Sequence, residues 1–128
     1  MGEEIKSFED LKAYKACRAF RMFVSSSVIP LLLSKKEFDL MSQLKRASRS
    51  VTANLAEGYG RFHYMDNSKF CGIARGSLYE SLEHIITAHD EQLIQPSLLE
   101  EAREHFEHAI KLINGYINYL YKTSNKEK

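Results

Sequence analysis

Apolar residues at helical spacing limit what this chain can fold into more than any other feature. Leu40, Leu44, Ala47, Val51 and Leu55 recur at three- and four-residue steps. On a helix such positions form a single stripe. They run through the segment from Gln43 to Arg61, QLKRASRSVTANLAEGYGR. Lys45, Arg46 and Arg49 flank the stripe, and Asn54, Glu57, Gly58 and Gly60 close the segment. That is more polar detail than a core helix needs. An apolar stripe must also be covered, so the chain needs further helices of the same kind.

Three other segments have that pattern. Phe8, Leu11, Tyr14, Cys17, Phe20, Phe23 and Val24 follow helical steps after Ser7, which with Asp10 makes a short capping box. Ser25-Ser26-Ser27 weakens this first helix, and Pro30 is expected to kink or end it. Ser34-Lys35-Lys36-Glu37 reads as a capping box opening the second helix, which runs to Gly58 or Gly60, where glycine suits a left-handed terminus. Asp66 or Asn67 is the expected cap of the third, whose stripe is Phe70, Ile73, Ala74, Ser77, Leu78, Leu82, Ile85 and Ile86. Leu93-Ile94-Gln95-Pro96 breaks it, and Ser97-Leu98-Leu99-Glu100 reads as the box opening the fourth. That helix continues with Leu99, Ala102, Phe106, Ala109, Ile110, Ile113, Tyr116, Ile117 and Leu120.

No segment alternates with a period of two between turn dipeptides, so strands are not expected. Four long helices with short loops place consecutive helices antiparallel, which predicts an all-α, up-down-up-down four-helix bundle. At 128 residues the chain reads as one domain, 1–128. Its ordered core is expected over about 7–122, with ragged ends at Met1 to Lys6 and Thr123 to Lys128. Apolar residues make up 44% and charged residues 27%, as in an ordinary soluble domain. The N-terminus MGEEIKSF lacks the apolar stretch of a signal peptide. The longest apolar run, Val28 to Leu33, is too short to span a bilayer. A cytoplasmic protein without a membrane association is expected, with Cys17 and Cys71 as free thiols.

The net charge of +1 hides a polarity. Residues 1–63 hold eleven Lys/Arg against seven Asp/Glu, and residues 64–128 hold seven against ten. The acids concentrate from Glu80 to Glu107, where Arg103 is the only Lys or Arg.

Enzymatic chemistry finds little support. No nucleophile elbow, P-loop or dinucleotide fingerprint is present. None of the five histidines follows a Glu by three residues, the spacing of di-iron bundles. His105 and His108 share a face near Glu101 and Glu104, but a solvated acidic face is the simpler reading. No catalytic residue, metal or cofactor is assigned. Asn54 reads as a buried amide that fixes helix register; the alternative is that Asn54 and Glu57 line a small-ligand site. Arg46 and Glu57 project alike but lie too far apart to pair. Gly76 with Ser77 reads as a place where another helix, near Ala47–Ala53, packs closely.

The cations are the functional lead. Lys12, Lys15, Arg18 and Arg21 step by three along the first helix, in a patch that winds around it. Lys45, Arg46 and Arg49 form a second cluster, and Arg61, Lys69 and Arg75 lie around the following loop. Tyr59, Phe62 and Tyr64 interleave with Arg61 and His63, a composition suited to phosphate contact and base stacking. The alternative is a solubilising surface, or an electrostatic match to another subunit.

These residues carry a resemblance. Phe8-Glu-Asp-Leu11, then Gln43-Leu-Lys-Arg46-Ala-x-x-Ser50-x-x-x-Asn54-x-Ala-Glu57-Gly58, then Phe70 and Ala74-x-Gly76-Ser77-x-x-Glu80 resemble the proteins encoded in intervening sequences of bacterial 23S ribosomal RNA genes, also labelled S23 ribosomal protein. The chain is also similar to a related branch, the accessory protein of diversity-generating retroelements, a pentameric basic barrel that works with a reverse transcriptase and RNA. The resemblance implies a four-helix bundle, homopentamer assembly and an association with RNA or a nucleic-acid-handling protein, and no catalytic residues. It marks Gln43, Asn54, Glu57, Gly58, Gly76, Ser77 and Glu80 as structural motif residues. This chain departs from the accessory branch in being nearly neutral, with an acidic fourth helix.

The reading that follows is a non-enzymatic oligomeric bundle that binds RNA or a ribonucleoprotein. One alternative is an interaction scaffold whose charge asymmetry serves assembly alone, the basic face of helices one and two meeting the acidic face of helices three and four of the next copy. A second is a small-ligand or metal-binding bundle using Asn54, Glu57, His105 and His108.

Overall fold

The computed structural model describes residues 4–127. Met1, Gly2, Glu3 and Lys128, at the outer limits of the expected ragged ends, lie outside them. Four helices follow a short 3₁₀ turn, Phe8–Asp10: α1, Lys12–Ser34; α2, Phe38–Tyr59; α3, Tyr64–Asp90; and α4, Pro96–Glu127. No strand occurs among the described residues. The last helix runs past the expected limit near residue 122, and Ser124 is buried.

Ser7 makes the expected box, accepting from Glu9 N–H at 3.1 Å while its own N–H donates to Asp10 Oδ2 at 3.2 Å. It caps the 3₁₀ turn, and α1 starts one residue beyond that turn.

Pro30 does not end α1. The helix widens into one π segment, Val24–Val28, and then continues as Ile29–Ser34. The amide of Ile29 reaches back five residues to Val24 O, so the extra residue is absorbed next to the proline. Ser25 and Ser26 donate their hydroxyls to the carbonyls of Met22 and Phe23 at 3.2 and 3.4 Å. These bonds give the Met22 and Phe23 carbonyls partners in the turn where the ladder widens before Pro30. The resulting 23-residue helix is, by length and composition, apolar enough to cross a bilayer, which the Val28–Leu33 run alone does not suggest. Its buried residues, among them Cys17, Phe20, Val24, Val28 and Leu32, belong to the core.

Three expected caps give way to other solutions. Ser34 turns its hydroxyl back to Leu31 O at 2.8 Å, and α2 begins after Glu37 with no side-chain cap. The turn belongs to the end of α1: Glu37 N–H donates to Leu32 O, Lys36 N–H donates to Leu33 O, and Lys36 has φ 60°. This is a Schellman motif with lysine in the left-handed position. Gln92 ends α3 in the same way, with φ 62°. Asn67 does not cap α3, which starts at Tyr64; it lies one turn inside and is buried. At α4, Pro96 is the first helical residue, where a missing amide costs nothing, and the Leu98 and Leu99 amides reach Gln95 O. Gly58 and Gly60 are not left-handed; no described glycine has positive φ.

In the packing, α1 lies against α2, α2 against α3, α3 against α4, and α4 against α1. Leu44, Val51 and Leu55 of α2 meet Leu78 and Ile85 of α3 and Ala109 and Ile113 of α4 in one core, as the stripes require. Ile73 departs from its stripe and is 52% exposed.

Left-handed lysine and glutamine each sit where glycine has no steric penalty. Lys36→Gly and Gln92→Gly are each expected to stabilise the fold by about 1 kcal/mol. Thermal melts check this; a lowered midpoint in both variants contradicts it.

Candidate nucleic-acid interface

The α2–α3 seam explains most of the motif residues. A β-carbon on Gly58 would lie 2.7 Å from Asn67 Oδ1, 2.9 Å from Phe70 Cβ and 3.0 Å from the Asn67 carbonyl oxygen. Only glycine lets α3 come this near, and a backbone atom cannot yield. Further along, Asn54 Nδ2 donates to Ser50 O at 2.8 Å and to Ser50 Oγ at 2.9 Å. The Ser50 hydroxyl shares a hydrogen bond with Ser77 Oγ at 2.8 Å, and Ser81 Oγ donates to Ser77 O at 2.8 Å. Asn54 thus closes a polar chain between the two helices. The close approach expected at Gly76 belongs to Gly58 and Ser77 instead: a β-carbon on Gly76 would meet nothing within 4 Å, and the same holds for Gly72.

The outer motif residues each meet a neighbour four residues away. Gln43 Nε2 donates to Asp39 Oδ2 at 3.0 Å, and Glu80 sits 3.2 Å from His84 Nε2. Glu57 pairs with Arg61 at 3.5 Å. His105 stacks on Phe23 with ring centroids 4.8 Å apart, while His108 lines a groove between α1 and α4. Asn54, Glu57, His105 and His108 are therefore not brought together, and no group of three or more His, Cys, Asp or Glu among the described residues could hold a metal ion.

The cations divide into three places. Lys12 and Lys15 line the α1–α4 groove with Ala16, Ala19, His108 and Leu112. Nine residues are roughly two and a half helical turns, so Arg21 lies on the opposite flank of α1 from Lys12, toward α2, with Arg18 beside it. The same spacing sets Lys45 opposite Asn54 on α2. Asn54 faces α3 through Ser50 and Ser77, so Lys45 and its neighbour Arg49 lie toward α1. Arg18, Arg21, Lys45 and Arg49 thus border one flank, the α1–α2 seam. Arg21 Nε is buried there and has no hydrogen-bond partner. Arg18, Lys45, Arg49 and Lys69 join no ion pair among the described residues.

Other cations are engaged. Arg46 Nη1 donates to Ser42 Oγ at 3.3 Å. Arg75 Nε donates to Asn114 Oδ1 at 2.8 Å, and its guanidinium lies over Tyr79. Arg61 sits over the Phe70 ring at 4.6 Å.

Arg61 belongs to the third place, one end of the bundle. A cavity of about 680 Å³ opens there, lined by Tyr59, Arg61, Phe62, His63, Tyr64, Asn67, Tyr116 and Tyr119 among others. The sequence shows Tyr59, Phe62 and Tyr64 around Arg61; it does not show that Tyr116, spaced as a core residue, and Tyr119 come to the same cavity. Asn67 Nδ2 donates to Tyr116 Oη at 2.9 Å, and Asn67 Oδ1 accepts from Cys71 Sγ at 3.5 Å. Burial pushes the Tyr116 hydroxyl up to about 12, against which the Asn67 bond acts only partly. Cys17 and Cys71 are both free and fully buried, and burial pushes each thiol up to about 12.

Residues 9–115 match the family model described as 23S rRNA-intervening sequence protein. The chain belongs to that family. The match covers α1 to α3 and most of α4, so the Gly58 contact and the Ser50–Ser77 seam fall inside the matched region. No individual curated protein matches the chain.

Gly58→Ala is expected to destabilise the fold by about 1–3 kcal/mol, the usual cost of forcing atoms into a packed seam; denaturant unfolding measures it, and an unchanged midpoint contradicts the contact. Alkali should act through the buried acids. Their folded pKa values lie above the ordinary 9.0 for Cys and 10.0 for Tyr. The unfolded chain therefore loses these protons first, and stability present below pH 9 is lost as the pH rises toward about 12. Melting midpoints from pH 8 upward check the direction.

Proposed function

We propose that the chain is a non-enzymatic, cytoplasmic, homo-oligomeric bundle that associates with RNA or a ribonucleoprotein through its α1–α2 flank. The observation that carries this reading is that Arg18, Arg21, Lys45 and Arg49, which helical spacing sets toward the α1–α2 seam, have no acidic partner among the described residues. Unneutralised cations on a rigid surface suit the phosphate backbone. The family's description points the same way, as does the resemblance of the sequence motifs to retroelement accessory proteins. An antiparallel up-down-up-down course is supported by cross-helix pairs whose numbers move oppositely: Ser50 with Ser77 and Gly58 with Asn67 for α2–α3, Asn67 with Tyr116 and Tyr79 with Phe106 for α3–α4, and Lys12 with Leu112 and Phe23 with His105 for α1–α4. A cytoplasmic place without membrane contact fits α1 as a core helix.

A specific observation favours assembly as well. Gly72 and Gly76 stand one turn apart in the middle of α3 with open space over both, and Ile73 is exposed between them. Each mid-helix glycine costs roughly 1 kcal/mol relative to alanine, and nothing inside the chain offsets it. A second copy packed closely on this face would. The exposed acids of α4, Glu100, Glu101, Glu104 and Glu107, offer the α1–α2 cations a second, competing partner in the next subunit. A pentamer is the ring size that the family resemblance implies.

A titration with structured RNA at several salt concentrations tests the first reading. Affinity should fall linearly on a log–log plot. Lys45→Glu with Arg49→Glu should weaken binding and flatten the slope by about 1 for each phosphate that is no longer neutralised. No binding at low salt leaves the assembly scaffold in its place. For the oligomer, Gly76→Ala should weaken assembly in light scattering, although it raises the stability of the single chain by roughly 0.5–1 kcal/mol. Unchanged assembly contradicts the α3 face as the contact.

A further inference from the structure

The cavity at the bundle end has a donor that the fold leaves unspent. Asn67 Nδ2 can only donate, so Tyr116 Oη accepts in their 2.9 Å bond. The Tyr116 O–H must then point elsewhere, and no acceptor for it occurs among the described residues. Tyr116 lines the cavity, so this hydrogen is available to a guest. Asn67, 5% exposed and wedged beside Gly58, holds the phenol in place.

The walls select the class of guest. Tyr59, Tyr64 and Tyr119 contribute aromatic surface, and Phe62 at the mouth is 95% exposed, with its ring edge-on to His63 at 5.0 Å. Phe62 thus leaves an uncovered aromatic face at the mouth, free to stack on a planar ring. Arg61 lines the same mouth, its guanidinium over Phe70. Flat aromatic faces, one inward hydroxyl donor and a cation at the rim match a planar heteroaromatic ring bearing carbonyl acceptors and an attached phosphate. The volume of about 680 Å³ lies within the range of small-ligand sites.

We propose that this cavity captures an unpaired base of an RNA strand, stacked against Phe62 and the tyrosines, with a base acceptor on the Tyr116 hydroxyl and the adjoining phosphate at Arg61 and His63. The inference rests on the RNA-association reading and adds a strand preference to it. The seam cations hold the backbone without regard to pairing; the end cavity requires a base free of its partner. Loops and ends of a folded RNA supply such bases.

Phe62 is the residue to remove, since its exposure makes Phe62→Ala harmless to the fold, which a thermal melt verifies. Binding of a short single-stranded RNA, a duplex of the same sequence and a mononucleotide is measured for the wild type, Phe62→Ala, and Lys45→Glu with Arg49→Glu. The single strand should bind the wild type more tightly than either the duplex or the mononucleotide. Phe62→Ala should lose about 5- to 100-fold for the strand, the effect of one stacked base, with the salt slope unchanged. The seam variant should flatten the slope and keep the single-strand preference. Equal strand affinity in Phe62→Ala and wild type overturns the cavity while leaving RNA association standing. A mononucleotide bound as tightly as the strand overturns the RNA strand as occupant. No RNA bound by the wild type at low salt removes the parent reading, and the cavity proposal with it.

Discussion

The approach of α3 onto Gly58 is the contact on which the rest of the bundle depends. Because no side chain intervenes, Asn67 can sit against α2, and from there its amide reaches Tyr116 on α4. Three helices are tied by one residue's lack of a β-carbon. The same placement makes the floor of the end cavity, since Asn67 orients the phenol that faces it. Along the same pair of helices the Asn54–Ser50–Ser77 chain sets the register. A polar chain in a tight seam has few satisfied alternatives, so it opposes a slip of one helix past the other.

Much of the fold is legible in the sequence because periodicity reports burial. Leu44, Val51, Leu55, Leu78, Ile85 and Ile113 are fully buried, as their spacing requires. Helix ends are less legible because their solutions are backbone ones. A lysine in a left-handed turn has no sequence signature, so Ser34-x-x-Glu37 resembles a start although Ser34 belongs to the preceding helix. Pro30 signals a break, but the helix widens into a π turn before it and continues to Ser34. A glycine at position 58 suggests conformational freedom, whereas its role is lack of volume. Asn67 beside Asp66 looks like any cap; only the fold shows that it faces Tyr116, forty-nine residues away.

The site is half legible. The cationic residues are identifiable, but not their distribution, because a step of three residues carries a row around the helix. Lys12 and Lys15 turn toward α4 and Arg21 toward α2, while Arg61 and Arg75 are held by rings and polar neighbours. What stays free of ion pairs among the described residues is the narrower α1–α2 flank, while Arg61, held over Phe70, stands at the mouth of the end cavity. The motif residues Ser50, Asn54, Gly58 and Ser77 meet each other's helices, so they account for family resemblance without requiring a shared ligand.

A double-mutant cycle across the α2–α3 seam separates packing from RNA contact. Ser50→Ala, Ser77→Ala and the double variant are compared in denaturant unfolding, with RNA affinity measured on the same folded samples. The seam account predicts a coupling energy of about 0.5–3 kcal/mol in stability, with RNA affinity unchanged in all three. Independent, near-additive effects on stability together with a shared loss of RNA affinity would contradict it.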